Sequence, residues 1–439
     1  MSLASRDLAH IWHPCSQMKD YETFPPLEII KARGSHLTLA SGQELIDAVS
    51  SWWCKSLGHN HPRLNAALVH QLEQFEHVIH ANTTNRVTVE LAERLAALTP
   101  HLDKVFFAGD GSCAVEVAMK MSIHARHIQG QSEKTHFIAL ENGYHGETLA
   151  TLSVSDCGIY KAAYQSQLTD HPMLRGIPYV SGIDDPLWSD CSALWPAIET
   201  QLEQFREQAT AIILEPLVQG AGGMLIYSAD FLQRLAAWAK ANNVHLILDE
   251  IMTGFGRTGK MLASDYCNIE ADFICLSKGL SSGYLPISAV LTHDGIYDLC
   301  YDDYNKGKSF LHSHTYSGNA LAASVALETL KVFEDENIIE QTQTLSKAMG
   351  ERFKQVSEHT GCVTNIRQLG AVIAGDIHSD SNHEPRLGYQ VFRDAVANGA
   401  WLRPLGNTLY WFPPLNTSID TLDDLADITE ASIRRVCRI

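Results

Sequence analysis

Short apolar runs alternate with amphipathic stretches between about residue 65 and residue 300. Runs this short, without polar alternation, are typical of strands buried on both faces of a sheet. Helical periodicity occupies stretches between them, such as residues 114–127 and 231–242. The alternation predicts an α/β fold with a mostly parallel, doubly wound sheet covered by helices on both faces. The predicted strands are residues 104–108, 136–140, 211–214, 245–248, 273–276 and 287–291.

The last third of the chain has a different pattern. Residues 320–360 predict one or two long helices, and short strands are expected around residues 371–374 and 408–412, which indicates a smaller α+β domain. A chain of 439 residues exceeds the usual size of a single core. We therefore predict three parts: an N-terminal segment that packs with the small domain, a large domain that holds the functional site, and a small domain, covering residues 1–60, 61–320 and 321–439.

Composition narrows the classes of partner. The net charge of -18 argues against nucleic acid and anionic membranes, which both attract basic surfaces. The ten cysteines include no C-x-x-C pair, so reduced thiols of a cytoplasmic protein are expected. Neither an N-terminal signal-like apolar region nor a stretch long enough for a membrane span is present. The sequence thus predicts a cytoplasmic protein that acts on small molecules.

Two ionisable residues stand where predicted strands end. Asp249 closes the run 244–249, and Lys278 comes two residues after the run 271–276. In an open α/β sheet, ligands bind outside the carboxyl ends of the strands, so a carboxylate and an amine placed there share one site. Pyridoxal phosphate needs a lysine to carry it and an acid beside its ring nitrogen. The pair therefore predicts pyridoxal 5′-phosphate as the cofactor.

Two loops after strands could bind other parts of such a cofactor. Gly111 and Ser112 lead into a predicted helix, whose first N–H groups can bind a phosphate or can simply be capped. The loop is neither G-x-G-x-x-G nor a Walker loop, which disfavours nucleotides. Tyr144, in the glycine-flanked segment 141–146, can lie against a planar ring or on the surface.

Two later segments leave their roles open. Glu215 ends a predicted strand before a glycine-rich turn, and it is either a site carboxylate or a solvated one. Residues 313–319 offer a hydroxyl that can reach a phosphate. Histidine pairs such as His312 and His314 do not supply three or four converging ligands, so no metal site is predicted. A serine hydrolase is not predicted.

In their order along the chain, these segments resemble the class III aminotransferases of the pyridoxal-phosphate fold type I family, from about His10 to Pro414. The most specific part is Asp249-Glu-Ile-Met-Thr-Gly-Phe-Gly-Arg257-Thr-Gly, followed by Ser-Lys278-Gly. The resemblance implies that Lys278 is the Schiff-base lysine and the acid-base catalyst. Asp249 is implied to partner the pyridinium nitrogen. An ion pair is the only role that the sequence suggests for Arg257.

The same resemblance assigns the remaining cofactor contacts. Gly111 and Ser112 are similar to the phosphate cup of the family, and Tyr144 is similar to the aromatic residue that stacks on the ring. Thr315 resembles the residue that reaches the phosphate from the neighbouring subunit. A homodimer with shared active sites is therefore expected.

A narrower resemblance is to the 7,8-diaminopelargonate synthases, the adenosylmethionine–8-amino-7-oxononanoate aminotransferases of biotin synthesis. It rests on Ile-Trp-His-Pro at 11–14, Ser-Ser-Trp-Trp at 50–53 and Trp-Leu-Arg-Pro at 401–404. The implied substrate is 8-amino-7-oxononanoate, its carboxylate bound by the Arg403 guanidinium. The other implied substrate contacts are Trp52, Trp53, Tyr144, Lys278 and Tyr410.

Two departures bear on the substrates. Many of these synthases have tyrosine at the position of Cys15, so one hydroxyl contact is expected to be absent, and Glu147 replaces a common aspartate. Tyr284 and Tyr316 lie in segments closer to the branch that uses lysine as amino donor. S-adenosylmethionine is the expected donor, with lysine as the alternative. Another class III enzyme, such as an omega-amino-acid transaminase or an aminomutase, is the competing function.

Overall fold

The structure, a computed structural model, describes residues 2–380 and 386–439. Its strands, in chain order, are β1 (Ile29–Arg33), β2 (His36–Leu39), β3 (Glu44–Asp47), β4 (Lys104–Ala108), β5 (His136–Leu140), β6 (Met173–Leu174), β7 (Tyr179–Val180), β8 (Ala209–Leu214), β9 (Val218–Gln219), β10 (Leu225–Tyr227), β11 (His245–Asp249), β12 (Phe273–Leu276), β13 (Ser288–Thr292), β14 (Val363–Leu369), β15 (Val372–Ile377), β16 (Ala400–Trp401) and β17 (Thr408–Trp411).

The helices connect and cover these strands. They are α1 (Leu3–His10), α2 (Ser50–Trp53), α3 (Pro62–Leu72), α4 (Arg86–Ala96), α5 (Gly111–Ile128), α6 (Leu149–Ser153), α7 (Ile159–Ala162), α8 (Pro186–Ser189), α9 (Trp195–Glu203), α10 (Ala229–Ala241), α11 (Asp294–Cys300), α12 (Ala320–Asp335), α13 (Ile338–Thr360), α14 (Leu387–Ala397) and α15 (Ile419–Cys437). Within residues 2–380 and 386–439, no helix has the length and apolar character to cross a membrane.

The central sheet has seven strands in the order β4-β13-β12-β11-β8-β5-β6. The pairs from β12 to β6 are parallel, whereas β13 runs antiparallel to both of its neighbours. Two hydrophobic cores lie on opposite faces of this sheet. In β8, Ile212 and Leu214 belong to the larger core, and Ile213 between them belongs to the smaller core beneath α5. Because side chains alternate across a strand, this division shows that both faces are buried. The predicted mostly parallel, doubly wound sheet is confirmed.

Three smaller sheets complete the fold. Strands β1, β2 and β3 form a sheet with β16, and Ala400 of β16 pairs in parallel with Ile46 of β3. Strands β14, β15 and β17 form the antiparallel sheet of the C-terminal region, with α13 packed against it. The third sheet contains β7, β10 and β9. The N-terminal strands therefore join a strand that lies about 350 residues later, a pairing that local patterns do not predict.

The predicted helix after β4 begins three residues earlier than expected. It starts at Gly111 rather than Ala114, because Asp110 caps it and accepts a hydrogen bond of 3.0 Å from the Cys113 N–H. The stretch predicted as one or two long helices is two, α12 and α13. Helix α12 packs on α3 and α4.

Candidate active site

The predicted site residues gather at one edge of the central sheet. Strands β4, β5, β8, β11 and β12 all point their carboxyl ends to this edge, and the loop or residue that ends each strand supplies a polar group. This is the expected position of a ligand in an open α/β sheet. The groups concerned are Gly111 and Ser112, Tyr144 and His145, Glu215, Asp249, and Lys278.

Asp249 is held in one orientation by two neighbours. Its Oδ2 lies 2.8 Å from His145 Nδ1, and its Oδ1 accepts a hydrogen bond of 3.2 Å from the Ile251 N–H. Because an ionised carboxylate only accepts, His145 donates from Nδ1. Both side chains are buried. The geometry fixes a carboxylate that retains free acceptor positions for a further N–H group.

Lys278 opens the 3₁₀ helix Lys278–Ser281 directly after β12. Burial lowers the pKa of its amine, and the nearby carboxylates of Asp249 and Glu215 oppose this change. The Nζ atom lies 4.8 Å from the centroid of the Trp53 ring, which covers it. An amine with a lowered pKa beside carboxylates is suited to nucleophilic attack and to proton transfer.

Glu215 is buried and lies within the site. It accepts hydrogen bonds of 2.9 Å from the backbone N–H groups of Tyr144 and Gly220. Burial raises its pKa to about 7, with the Asp249 charge adding to the rise and His145 opposing it. The alternative of a solvated carboxylate at the strand end is therefore wrong. Glu215 ties the Tyr144 loop to the glycine-rich turn after β8.

The start of α5 forms a narrow cradle. The first N–H groups of a helix have no partner within the helix, so those of Gly111 and Ser112 are available to an anion. Gly146 has a φ of 129°, and a Cβ there would overlap the Ser112 side chain. A Cβ on Gly111 would lie 3.0 Å from the Ile251 side chain. Gly111 and Gly146 thus leave space at positions where a side chain would meet its neighbours.

A second part of the site is aromatic. The Trp53 indole donates a hydrogen bond of 3.0 Å to the Tyr410 hydroxyl, and both residues are buried. Trp52 remains 42% exposed and lies against the Arg403 guanidinium, whose central carbon is 4.2 Å from the ring centroid. Arg403 Nη2 also donates to the Cys15 carbonyl at 3.0 Å. The charge of Arg403 also acts on the Tyr410 phenol, so the two pairs adjoin. We call this row of side chains, from Lys278 past Trp53 and Tyr410 to Trp52 and Arg403, the aromatic cleft, and Arg403 is its outer end.

The tryptophan pair depends on an unusual turn. Trp53 has a φ of 63° and Ser51 a φ of 62°, a region that favours glycine. Buried Asp47 stabilises the turn by accepting hydrogen bonds from the N–H groups of Val49 and Ser51, at 3.3 and 2.7 Å. His59 Nε2 contacts the same carboxylate at 2.8 Å. A strained backbone held by such contacts is typical of functional sites.

Arg257 locks this turn to the C-terminal region. Its Nη1 donates to the carbonyls of Pro413 and Ala371, at 2.7 and 3.2 Å, and its guanidinium lies 3.6 Å from the centroid of the Phe412 ring. Its Nη2 lies 3.5 Å from the Ser50 hydroxyl. These contacts with carbonyls and a ring replace the ion pair suggested by the sequence. Arg257 therefore connects the turn at Ser50 to the C-terminal region.

Tyr144 and Thr315 occupy different surroundings. The Tyr144 hydroxyl donates to Glu147 Oε1 at 3.0 Å, and burial raises the pKa of the phenol. Thr315 is exposed, and its carbonyl lies 2.8 Å from His77 Nε2. Its hydroxyl is therefore on the surface of the protomer.

The described residues hold no group of three or more histidine, cysteine or acidic side chains that could bind a metal ion. The rings of His312 and His314 approach to 3.2 Å between their Nε2 atoms, but two side chains do not make such a group.

The model of the class-III aminotransferase family matches residues 17–433. The chain belongs to this family. The adenosylmethionine-8-amino-7-oxononanoate aminotransferase of Helicobacter pylori is 42% identical over 418 residues, which cover 94% of this chain and 93% of the relative. The crystal structure of the corresponding enzyme from Methanocaldococcus jannaschii superposes with a TM-score of 0.91 at 32% identity, covering 99% of this chain and 98% of the other.

An omega transaminase from Pseudomonas jessenii, solved in complex with PMP, also superposes with a TM-score of 0.91. It is 26% identical and covers 100% of this chain and 99% of its own. As a class-III aminotransferase, the chain is a transaminase that uses pyridoxal 5′-phosphate. The predicted family, enzyme class and cofactor are confirmed.

The residues of this aminotransferase fit that cofactor. The cradle at Gly146 and Ser112 opens beside helix N–H groups that suit a phosphate, and Asp249 retains acceptor positions for a pyridinium N–H. Lys278 offers an amine whose pKa is lowered by burial. These three features lie at one sheet edge, as the cofactor requires.

The structure of the aminotransferase brings most predicted site residues together, and it adds others. Contacts join Lys278 to Trp53, Trp53 to Tyr410, and Trp52 to Arg403. Local sequence patterns assigned no role to His145, whose contact with Asp249 spans 104 residues. They also assigned none to Asp47, which resembles the ordinary end of a strand. The one available signal for His145 was its place beside Tyr144 after β5.

Proposed function

We propose that this aminotransferase acts in biotin synthesis and transfers an amino group to the ketone of 8-amino-7-oxononanoate, which yields 7,8-diaminononanoate. The observation that carries the proposal is the aromatic cleft that ends at Arg403, since it matches an apolar chain with a terminal carboxylate. The names of the relatives from Helicobacter pylori and Methanocaldococcus jannaschii agree with it.

The side chains along the cleft would bind different parts of the substrate. Trp52, Trp53 and Tyr410 would line the path of the aliphatic chain, and the Arg403 guanidinium would bind the carboxylate. The reacting carbon would then lie near Lys278, below the ring of Trp53. The polar end of the substrate is thus held far from the carbon that reacts.

Lys278 would move the proton of the reaction. Bound pyridoxal phosphate supplies an electron sink for the substrate carbon. In the first half of the reaction, the Lys278 Nζ would take the proton from the amine-bearing carbon of the donor. In the second half, it would give a proton to the former ketone carbon of 8-amino-7-oxononanoate. Asp249, held by His145, would keep a proton on the ring nitrogen, and Tyr144 would stack on the ring. Gly111 and Ser112 would bind the phosphate through the start of α5.

The test is an assay with purified protein, 8-amino-7-oxononanoate and an amino donor, with 7,8-diaminononanoate detected by mass spectrometry. Product is expected with wild type and not with Lys278→Ala. The absence of product with every donor would refute the proposal. Visible absorbance of the bound cofactor, present in wild type, shows that the protein tested is loaded.

The expected donor is S-adenosylmethionine, in line with the names of the relatives. Lysine is the alternative, because Tyr284 and Tyr316 lie in segments that resemble the lysine-using branch. Parallel assays with each donor at equal concentration decide between them. Product with lysine alone would refute S-adenosylmethionine as donor.

An omega-amino-acid transaminase is the second candidate, and the superposition on the Pseudomonas jessenii enzyme favours it. Such an enzyme would aminate short semialdehydes, whose carboxylate lies only a few carbons from the carbonyl group. A panel of short semialdehydes compared with 8-amino-7-oxononanoate separates the two functions. Strong preference for the long-chain keto acid supports the biotin-pathway substrate.

We also propose that the working form is a homodimer with shared active sites. Thr315 is exposed, and it lies in a segment where Tyr304, Leu311 and Tyr316 are 97%, 91% and 66% exposed. Burying these apolar side chains against a second copy would be favourable and would bring the Thr315 hydroxyl to the partner's phosphate site.

The division into residues 1–60, 61–320 and 321–439 remains our proposal for the domains. It is supported by the pairing of β3 with β16, which joins the N-terminal segment to the C-terminal part. A cytoplasmic location is also proposed. It accords with the buried thiols of Cys191, Cys267 and Cys275, which a reducing compartment preserves.

A further inference from the structure

Tyr160 lies at the outer end of the aromatic cleft, on the short helix α7. Its hydroxyl is 3.1 Å from the Sγ atom of Cys15. The phenol is 41% exposed and Cys15 is exposed, so solvent and small molecules reach both groups. The contact joins two segments that are 145 residues apart in the chain.

Cys15 connects this phenol to Arg403. Its side chain contacts Tyr160, and its carbonyl accepts the hydrogen bond of 3.0 Å from Arg403 Nη2. The positive charge of Arg403 also acts on the phenol. The hydroxyl and the guanidinium therefore contact the same residue and lie near each other.

The present partner of the phenol is a weak one. A thiol is a poor hydrogen-bond acceptor, whereas a carboxylate is a strong acceptor for a neutral O–H group. The contact with Cys15 and burial raise the pKa of Tyr160 to about 12, so the phenol keeps its proton at neutral pH. A carboxylate that reaches Arg403 can thus replace the thiol at little cost.

We propose that Tyr160 is a specificity residue whose hydroxyl donates to the substrate carboxylate beside Arg403. The inference rests on the proposed function and adds a second donor to the carboxylate site. Two donors from different segments, one charged and one neutral, define the position of the carboxylate better than the guanidinium alone. They favour an acid of a set chain length over an uncharged ketone.

The variant Tyr160→Phe removes the hydroxyl and keeps the ring. Its KM for 8-amino-7-oxononanoate is expected to rise roughly five- to tenfold with little change in kcat, because the lost contact is distant from the reacting carbon. The KM for the uncharged methyl ester of the same compound should stay within about twofold of wild type. Equal effects on acid and ester would reveal a merely structural role and would overturn the inference.

Two controls accompany this variant. Tyr164→Phe changes an exposed tyrosine four residues along the same segment and should leave both KM values unchanged. Titration of tryptophan fluorescence with the acid, read through Trp52 beside Arg403, measures binding without turnover and should show the same loss in Tyr160→Phe. An unchanged affinity for the acid would overturn the inference.

The inference about Tyr160 and the proposed function can fail separately. If wild type converts the acid and Tyr160→Phe converts it with the same KM, the inference is wrong and the proposed function stands. If wild type neither binds nor converts the acid, the proposed function is wrong, and the role of Tyr160 falls with it.

Discussion

The Nδ1 atom of His145 lies 2.8 Å from Oδ2 of Asp249, and both side chains are buried at the carboxyl edge of the central sheet. His145 lies in the loop after β5, and Asp249, 104 positions later, is the last residue of β11. The contact sets the direction in which the carboxylate faces. His145 is therefore a positioning residue that acts through Asp249.

Replacing His145 by Phe should lower kcat while the protein still binds its cofactor. Loss of one charge-assisted hydrogen bond of about 1.5–3 kcal/mol corresponds to a decrease of roughly ten- to a hundredfold. The pH dependence of the visible absorbance should also change, since the ring nitrogen loses an oriented partner. His70→Asn, on the exposed face of α3, is the matched control. A kcat equal to that of wild type would contradict this role.

The hydrogen bond between Trp53 and Tyr410 should contribute to stability. Tyr410→Phe leaves the buried Trp53 N–H without its acceptor, and the free energy of unfolding should fall by about 1–3 kcal/mol. Chemical denaturation measures the change. In a Trp53→Phe background, the same Tyr410 substitution should cost clearly less, because the donor is already absent. Equal costs in the two backgrounds would show that the bond does not stabilise the fold.

Glu215 should make stability depend on pH. Burial raises its pKa from 4.5 to about 7, so the folded state binds more protons than the unfolded chain between these values. Stability from this group is therefore complete below pH 4.5 and is lost as the pH rises to about 7. Relative to Glu215→Gln, cofactor-free wild type should lose about 3 kcal/mol across this range. A difference that is constant with pH would exclude the raised pKa.

Shared active sites can be tested with a mixed dimer. A Lys278→Ala chain and a Thr315→Glu chain, co-expressed with different tags, are each expected to be inactive alone. The glutamate should repel the phosphate, and the alanine lacks the amine. In the purified hybrid, one site combines Lys278 of one chain with Thr315 of the other, so roughly half of wild-type activity should return. A hybrid as inactive as its parents would refute the shared site.

Local patterns were sufficient for most of the central sheet, although the two-residue strand β6 was not predicted. The strands at 104–108, 136–140 and 273–276 have the predicted bounds, because an apolar run buried on both faces ends where the chain leaves the core. The positions of Asp249 and Lys278 at the ends of predicted strands also indicated that the two residues share one site. The start of α5 at Gly111 was not predicted, because the sequence alone does not show that Asp110 caps the helix.

Local sequence patterns did not predict the contacts between distant segments. Nothing near Arg257 in the sequence indicates that it binds the carbonyls of Pro413 and Ala371. The burial of Glu215 likewise depends on the Tyr144 loop, which lies 71 residues earlier. These features arise from tertiary packing, which determines both the partners and the pKa of an ionisable group.

The close approach of Gly146 to Ser112 has a consequence for how such an enzyme can change. Any side chain at position 146 would overlap the Ser112 side chain, so the phosphate end tolerates almost no variation. The other end of the cleft is formed by exposed groups on separate segments, Cys15, Trp52 and Tyr160. Substitutions there are expected to alter which molecule is bound without disturbing the reaction centre. The protein thus combines a tightly packed reaction site with an exposed substrate-binding surface. New substrates can be accommodated by changes in that surface while the reaction site stays unchanged.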